Sequence, residues 1–133
     1  MADRSSSTPE DTVTALSDAT HVPIPGQGQT RDNRVADLGP LTGLLAGVGT
    51  GAALGAFRSA GWRPSLVVGT AAATLGALVG SNGPMTALEV TAPRTWPASS
   101  WIADLIPHLA YGVVTAAVLD GLDPSCPRRL LAR

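Results

Sequence analysis

Residues 38–57 read LGPLTGLLAGVGTGAALGAF, and this stretch contains no charged side chain. An α-helix rises about 1.5 Å per residue, so about 20 such residues cover the roughly 30 Å of hydrocarbon in a bilayer. A soluble helix needs a polar face, and this segment offers none. It therefore predicts a helix that crosses a membrane.

Two further segments predict the same kind of helix. Residues 64–88 also lack charged side chains, and their apolar part, 66–83, has no alternating strand pattern. A third apolar segment at 99–121 is interrupted by Asp104 and His108. We therefore expect an all-α protein with three transmembrane helices at about 38–57, 66–83 and 99–121. A soluble Ala-rich bundle is the alternative, and the missing charged faces argue against it.

The remaining parts of the chain are polar or basic. Residues 1–34 carry few large apolar side chains, which predicts a disordered polar tail before a helical transmembrane domain at 35–122 and a basic C-terminal tail at 123–133. Within that first tail, Thr8-Pro9-Glu10-Asp11 has the composition of a helix start.

Three Trp residues flank the apolar segments, as expected at membrane interfaces. The excess of Arg near the C-terminus predicts a cytoplasmic C-terminus in a multi-pass protein of the cell (inner) membrane.

Composition excludes several function classes. The chain has 133 residues, of which 14 % are charged, and its net charge of −1 gives no global reason to expect nucleic-acid binding. A single Cys, Cys126, excludes an internal disulfide and a multi-cysteine metal site, and we expect it to be exposed and inert rather than acylated. His21 lies far from His108 in the polar tail, so no metal site is predicted. We expect neither a cofactor nor an enzymatic activity, because no nucleophile motif surrounds Ser99 and Ser100.

Glycine recurs every fourth residue along the first apolar segment. Small residues at this spacing let membrane helices approach closely, which makes the pattern specific for packing and uninformative about chemistry. Each four-residue step turns about 40° beyond a full turn, so one straight partner helix cannot use the whole row. The second segment carries a matching row and, beside it, another at Gly69, Ala73 and Ala77. The predicted packing residues are Gly39, Gly43, Gly47, Gly51, Gly55, Ala72, Gly76 and Gly80. They serve packing within the chain or association with a second copy.

Polar side chains form one stripe on the third segment. Asp104, His108, Tyr111 and Thr115 are separated by four, three and four residues, which places them within an arc of about 60° on a helix. Polar groups inside a membrane usually face the bundle or water and pair with one another. The stripe is therefore a candidate site for protons or a polar ligand, or a structural pair in which Asp104 orients the helix start. Asp120, at the far end of the segment, is expected to meet headgroups or solvent.

The run Pro93-Arg94-Thr95-Trp96, followed by Trp101-Ile-Ala-Asp104-Leu-Ile-Pro107-His108-Leu-Ala-Tyr111-Gly112, resembles small multi-pass membrane proteins of high-GC actinobacteria that have no assigned function. It is more faintly similar to the YagU-like inner-membrane family, for which a role in acid tolerance is suggested. The resemblance covers about residues 84–120. It implies a membrane location and adds Gly112 to the stripe as a position of interest.

Together these patterns predict a small integral membrane protein of structural or accessory type, packed through its glycines. A minimal proton or solute pathway using Asp104 and His108 is one alternative, and a holin-like protein that permeabilises the membrane is another. The expected partners are the lipid bilayer and a second copy or another membrane protein.

Overall fold

The computed structural model describes residues 8–123, and in this range the chain is helical without a β-strand. Its long helices are α2 (Gln29–Ser59), α3 (Leu66–Ala87) and α4 (Ala98–Leu122). Each of them is long and apolar enough to cross a membrane. The prediction of an all-α protein with three such helices is confirmed, and each helix extends beyond its predicted bounds.

A further helix, α1 (Thr8–Thr20), lies in the segment expected to be disordered. It begins at the predicted start signal, with Pro9 next in sequence and Glu10 and Asp11 in its first turn. It packs against the N-terminal half of α2, where Val13 and Val35 are both 7 % exposed. Within the expected tail, residues 8–20 thus form a helix and residues 29–34 belong to α2, because the few apolar side chains of this segment find a partner surface on α2.

Local sequence signals set the turn between α2 and α3. The N–H of Trp62 donates to the Phe57 carbonyl and the N–H of Gly61 donates to the Arg58 carbonyl, both at 3.0 Å. Gly61 has φ +99°, so this is the glycine-ended helix terminus known as the Schellman motif. Ser65 caps α3 by accepting a hydrogen bond from the Val68 N–H. A short 3-10 helix (Pro93–Thr95) connects α3 to α4.

Helix α3 lies between its neighbours, packing most extensively on α4 and less on α2. Small side chains form the interior, with Ala73 fully buried and Ala77 and Ala116 nearly so. Most of the large aliphatic side chains point outward, as Leu45 and Val67 show with 71 % and 78 % exposure, although Leu54 is buried. This arrangement is the reverse of a soluble core and is typical of helices whose surroundings are lipid.

Prolines occur inside all three long helices, at Pro40, Pro84 and Pro107. Each removes one backbone donor from its helix. The helices nevertheless continue through them, as membrane helices commonly do because neighbouring groups compensate for the missing bond.

Candidate functional site

A cluster of polar side chains lies between α3 and α4, within the apolar part of the bundle. Asp104 of α4 is only 5 % exposed, and one of its carboxylate oxygens accepts a hydrogen bond from the Asn82 amide of α3 at 2.7 Å. The Asn82 Oδ1 atom is buried without a hydrogen-bond partner among the residues described. The buried Asp104 carboxyl group therefore joins α4 to α3 through this hydrogen bond.

His108 continues the cluster one turn further along α4. Its Nδ1 lies 2.7 Å from the Asp104 backbone carbonyl and 3.6 Å from the Asp104 Oδ1 atom. Its Nε2 lies 3.0 Å from the Ser81 hydroxyl of α3. Because a carbonyl only accepts, Nδ1 carries a proton, which fixes the orientation of the ring.

The Ser81 hydroxyl has one proton and two acceptors within reach. It lies 2.8 Å from the Ala77 carbonyl and 3.0 Å from the His108 Nε2. If it donates to Ala77, the Nε2 must donate to it and His108 is positively charged; if it donates to Nε2, His108 is neutral. The geometry accommodates both protonation states of His108 with a rotation of one hydroxyl.

Tyr111 connects α4 to α2. Its hydroxyl donates to the Gly47 carbonyl at 2.5 Å. The ring also lies beside Gly51, where an added Cβ would stand 3.7 Å from the hydroxyl. Thr115, the last residue of the predicted stripe, is half-buried and forms no hydrogen bond with the cluster as the structure describes it. The structure thus joins Asp104 and His108, places Tyr111 on a separate interhelical bond, and leaves Thr115 outside.

A small cavity of about 180 Å³ adjoins the cluster. His108 and Tyr111 line it from α4, and Gly43 and Ala46 line it from α2. Gly43 and Ala46 also line a cleft of about 520 Å³ that α1 partly covers. This cavity is open on the side of Gly43, which is exposed, and it has room for a few waters beside His108.

The glycine row of α2 serves several neighbours instead of one partner helix. Gly39 lies against Pro9 of α1, Gly47 and Gly51 lie beside Tyr111, and Gly55 lies near Leu119 of α4. An added Cβ at Gly43 would meet no atom within 4 Å. The row on α3 packs next to these glycines and not on them, since Gly76 contacts Thr50 and Gly80 contacts Ala46 and Thr50.

The tightest glycine contact lies between α3 and α4. A Cβ at Gly112 would overlap the Thr74 hydroxyl, and it would stand 2.8 Å from the Thr70 carbonyl oxygen and 3.1 Å from the Thr74 nitrogen. Nearby, a Cβ added at Gly69 of the second α3 row would stand 3.4 Å from the Ala116 Cβ. The backbones of α3 and α4 therefore approach closely at Gly112, next to the polar cluster.

Charged residues gather at the opposite end of the bundle. Arg58, at the end of α2, forms an ion pair with Asp120 of α4 and lies 3.7 Å from Asp123. Arg63, in the turn after α2, also pairs with Asp123. The expectation that Asp120 meets headgroups or solvent is corrected by this pairing: α4 ends beside α2, and the Arg58 side chain is only 11 % exposed.

Two sets of contacts were not predicted from the sequence: those of Ser81 and Asn82 in the polar cluster, and the ion pair of Arg58 with Asp120. Ser81 and Asn82 are adjacent polar residues in the uncharged stretch before Glu89, and that pair is a signal that could have found them. Arg58 and Asp120 gave no such signal, because charges at helix ends are common. Among residues 8–123, no three His, Cys, Asp or Glu side chains are grouped as metal ligands. Cys126 and the Arg residues of the C-terminal tail lie outside the described range.

Comparison with known proteins found no match: no family model, curated protein or solved structure is similar to this chain. The interpretation of the site therefore depends on its geometry.

Proposed function

We propose that this chain is a small integral membrane protein of structural or accessory type, in which the polar cluster fastens α3 to α4. One observation carries the proposal. Three hydrogen bonds link Asp104, Asn82, His108 and Ser81, and two of them cross directly between the helices. Interhelical hydrogen bonds of this kind in an apolar bundle contribute specificity of packing.

The test compares two substitutions at Asp104. Asp104→Asn keeps an oxygen that can accept from Asn82, so its free energy of unfolding should fall by about 0.6 kcal/mol or less, the average worth of such a bond between membrane helices. Asp104→Leu leaves the Asn82 amide and the Ser81–His108 pair poorly placed, and should cost about 1–3 kcal/mol. Unfolding is followed by circular dichroism as SDS is titrated into mild-detergent micelles. Equal stability of Asp104→Leu and the wild type would contradict the structural role.

A minimal proton pathway is the second candidate, and the cavity beside His108 favours it. That cavity adjoins the cleft that α1 partly covers, and the Ser81 hydroxyl can either accept from or donate to the His108 Nε2 atom. Buried ionisable groups in membrane helices often mark such pathways. In liposomes with an internal pH dye, the pathway predicts proton flux in the wild type that Asp104→Asn removes. The structural role predicts no flux in either protein.

The proposed partners are the lipid bilayer and either a second copy of the chain or another membrane protein. The glycine row of α2 supports association, since Gly43 meets no neighbour. Gly43→Leu should release a partner that cross-linking in mild detergent retains on the wild type. Gly121→Leu on α4 is the control, because a side chain at Gly121 also meets open space. Retention of the partner by Gly43→Leu would count against this surface.

The proposed topology places the chain in the cell (inner) membrane with a cytoplasmic C-terminus. Cys126 is the only thiol in the sequence, which makes the test simple. A membrane-impermeant maleimide should label Cys126 in opened cells and leave it unlabelled in intact cells. Labelling in intact cells would contradict the proposed cytoplasmic C-terminus.

A further inference from the structure

Ser81 of α3 and His108 of α4 have the geometry of a nucleophile and its general base. The Ser81 hydroxyl oxygen lies 3.0 Å from the His108 Nε2 atom, within the roughly 2.6–3.2 Å that proton transfer between such groups needs. The two residues are 27 positions apart in the sequence, and the packing of α3 on α4 brings them together. The expectation of no enzymatic activity rested on Ser99 and Ser100, so this pair was not considered in it.

The tautomer of His108 suits the role of a base. Its Nδ1 atom donates to the Asp104 main-chain carbonyl at 2.7 Å, which leaves the lone pair of the neutral ring on Nε2, beside the Ser81 hydroxyl. The Asp104 Oδ1 atom lies 3.6 Å from Nδ1, which is too long for a hydrogen bond. The arrangement is therefore a Ser–His pair oriented by a main-chain carbonyl, and not a complete Ser-His-Asp triad.

The cleft that α1 partly covers gives access to Ser81. Its volume is about 520 Å³, and residues of α1, α2 and α3 line it, Ser81 among them. Its largest lining side chains are those of Leu16, Leu45 and Met85, and the described residues that line it include no charged one. A substrate must therefore place an apolar chain in the cleft and its reacting group at Ser81.

The inner cavity beside His108 has room for a second reactant. Gly43 and Ala46 line both this cavity and the cleft, so the two spaces are adjacent. The cavity accommodates a few waters next to His108. An apolar substrate thus reaches the pair at Ser81, and water reaches it at His108.

We propose that Ser81 is the nucleophile and His108 the general base of a site that hydrolyses long-chain carboxylic esters of membrane lipids. The Ser81 oxygen attacks the ester carbonyl carbon, and its proton passes to His108 Nε2. The bond from that carbon to the alcohol oxygen then breaks, and the alcohol leaves with the proton. Water next attacks the acyl ester of Ser81 and gives a proton to Nε2. The Ser81 oxygen takes this proton as the fatty acid leaves.

The borders of the cleft favour an acyl chain over a transmembrane peptide as substrate. Helix α1 packs on α2 and contributes Pro9 and Leu16 to the lining. A substrate helix would have to displace α1 before a peptide bond could reach Ser81. A single acyl chain needs only the apolar cleft that the three helices already form.

The experiment measures covalent capture of Ser81 by sulfonyl fluorides, in which the serine oxygen bonds to sulfur and fluoride leaves. Full-length protein in mild-detergent micelles is treated with hexadecanesulfonyl fluoride or with the compact phenylmethanesulfonyl fluoride. Intact mass and peptide mapping then locate the adduct. The wild type should gain one hexadecanesulfonyl group, at Ser81, and Ser81→Ala should gain none. His108→Gln should slow the labelling at least about a hundredfold, the lower value for general-base catalysis.

Ser59 is the matched control serine. It also donates to a carbonyl of its own helix, that of Ala56 at 2.7 Å, and it follows Arg58 at the opposite end of the bundle from the polar cluster. Ser59 should stay unlabelled, and Ser59→Ala should react at Ser81 as fast as the wild type.

Access through the cleft is tested at Gly43, where an added Cβ would meet no atom within 4 Å. Gly43→Phe should slow labelling by the long-chain reagent about tenfold relative to the compact one, since losing contact with two methylene groups has about that effect. Gly121→Phe adds the same bulk on α4 in open space and should change neither rate.

Turnover is measured as release of oleate from dioleoyl phosphatidylglycerol in mixed micelles. The wild type should release oleate, and Ser81→Ala should release none. A dye-labelled transmembrane peptide is offered in parallel. Cleavage of the peptide without release of oleate would replace the lipid ester by a peptide bond as substrate, and labelling of Ser81 with neither product would refute hydrolysis.

Two further results would overturn the proposal: a wild type without an adduct at Ser81, and a folded His108→Gln protein that is labelled as fast as the wild type. Where His108→Gln does not fold, equal labelling of Ser81 and Ser59 in the wild type refutes an activated Ser81. The structural role of the polar cluster is tested separately by the stability of Asp104→Leu. Loss of stability in that variant without labelling of the wild type refutes the hydrolytic site alone.

Discussion

Gly112→Ala is expected to loosen the contact of α3 with α4. The added methyl group would overlap the Thr74 hydroxyl and stand 2.8 Å from the Thr70 carbonyl oxygen, so this backbone atom must retreat by about 0.6 Å to reach an ordinary contact of 3.4 Å. Overpacking of this kind costs about 1–3 kcal/mol. Rotation of the Thr74 side chain also breaks its hydrogen bond to the Thr70 carbonyl, which adds about 0.6 kcal/mol to the loss of stability. The higher helix propensity of Ala than of Gly offsets about 0.5–1 kcal/mol of that loss. The net expectation is a loss of about 2 kcal/mol, or roughly thirtyfold in the unfolding equilibrium constant.

The assay is SDS titration of the protein in mild-detergent micelles, followed by circular dichroism. Gly121→Ala is the matched control, since it makes the same change on α4 with no atom within 4 Å, and it should be neutral or stabilising by about 0.5–1 kcal/mol. Thr74→Ala in the Gly112→Ala background should recover only part of the loss, because the backbone contacts remain. If Gly112→Ala proves as stable as Gly121→Ala, the close approach of α3 and α4 is refuted.

Three other predictions use the same preparation. Tyr111→Phe removes the bond to the Gly47 carbonyl and should lower the free energy of unfolding by about 0.6 kcal/mol, and by no more than about 1.7 kcal/mol, in the SDS titration. A double-mutant cycle of Arg58→Gln and Asp120→Asn should give a coupling energy of about 1 kcal/mol, above that of exposed pairs because Arg58 is largely buried; additive effects would show that the pair contributes nothing. Val13→Asp should release α1 and raise its amide hydrogen exchange at least about tenfold while leaving the three long helices protected, since burying a Val contributes about 1.5–2 kcal/mol.

Charge spacing predicted two of the three long helices, and the apolar composition of residues 99–121 predicted the third. The gaps from Asp37 to Arg58 and from Arg63 to Glu89 correspond to the apolar parts of α2 and α3. Helix ends were less predictable, because α2 continues at its N-terminal end into polar residues that a membrane need not cover. The sequence indicated where α1 begins but not where it packs. Its packing on α2 depends on a surface that exists only after folding.

The residues that α4 contributes to the candidate site were predicted from the sequence, and those that α3 contributes were not. Helical spacing put Asp104 and His108 on one face, but it could not say which helix they meet. Helix α3 carries two rows of small residues, and either row could have faced α4. The structure uses the row with Gly69, Ala73 and Ala77 there, and with that choice Ser81 and Asn82 reach the cluster.

The outward placement of large aliphatic side chains reverses the usual pattern of mutational sensitivity. In a soluble domain, truncating a buried Leu opens a cavity and is costly. Among the described residues of this chain, no large side chain is fully buried, so exchanging Leu45 or Val67 for another aliphatic residue removes little packing. Sensitivity moves to positions such as Gly112 and Ala73, where adding a single carbon forces two helices apart. Natural variants of this protein should therefore diverge freely in their bulky residues while keeping their smallest ones.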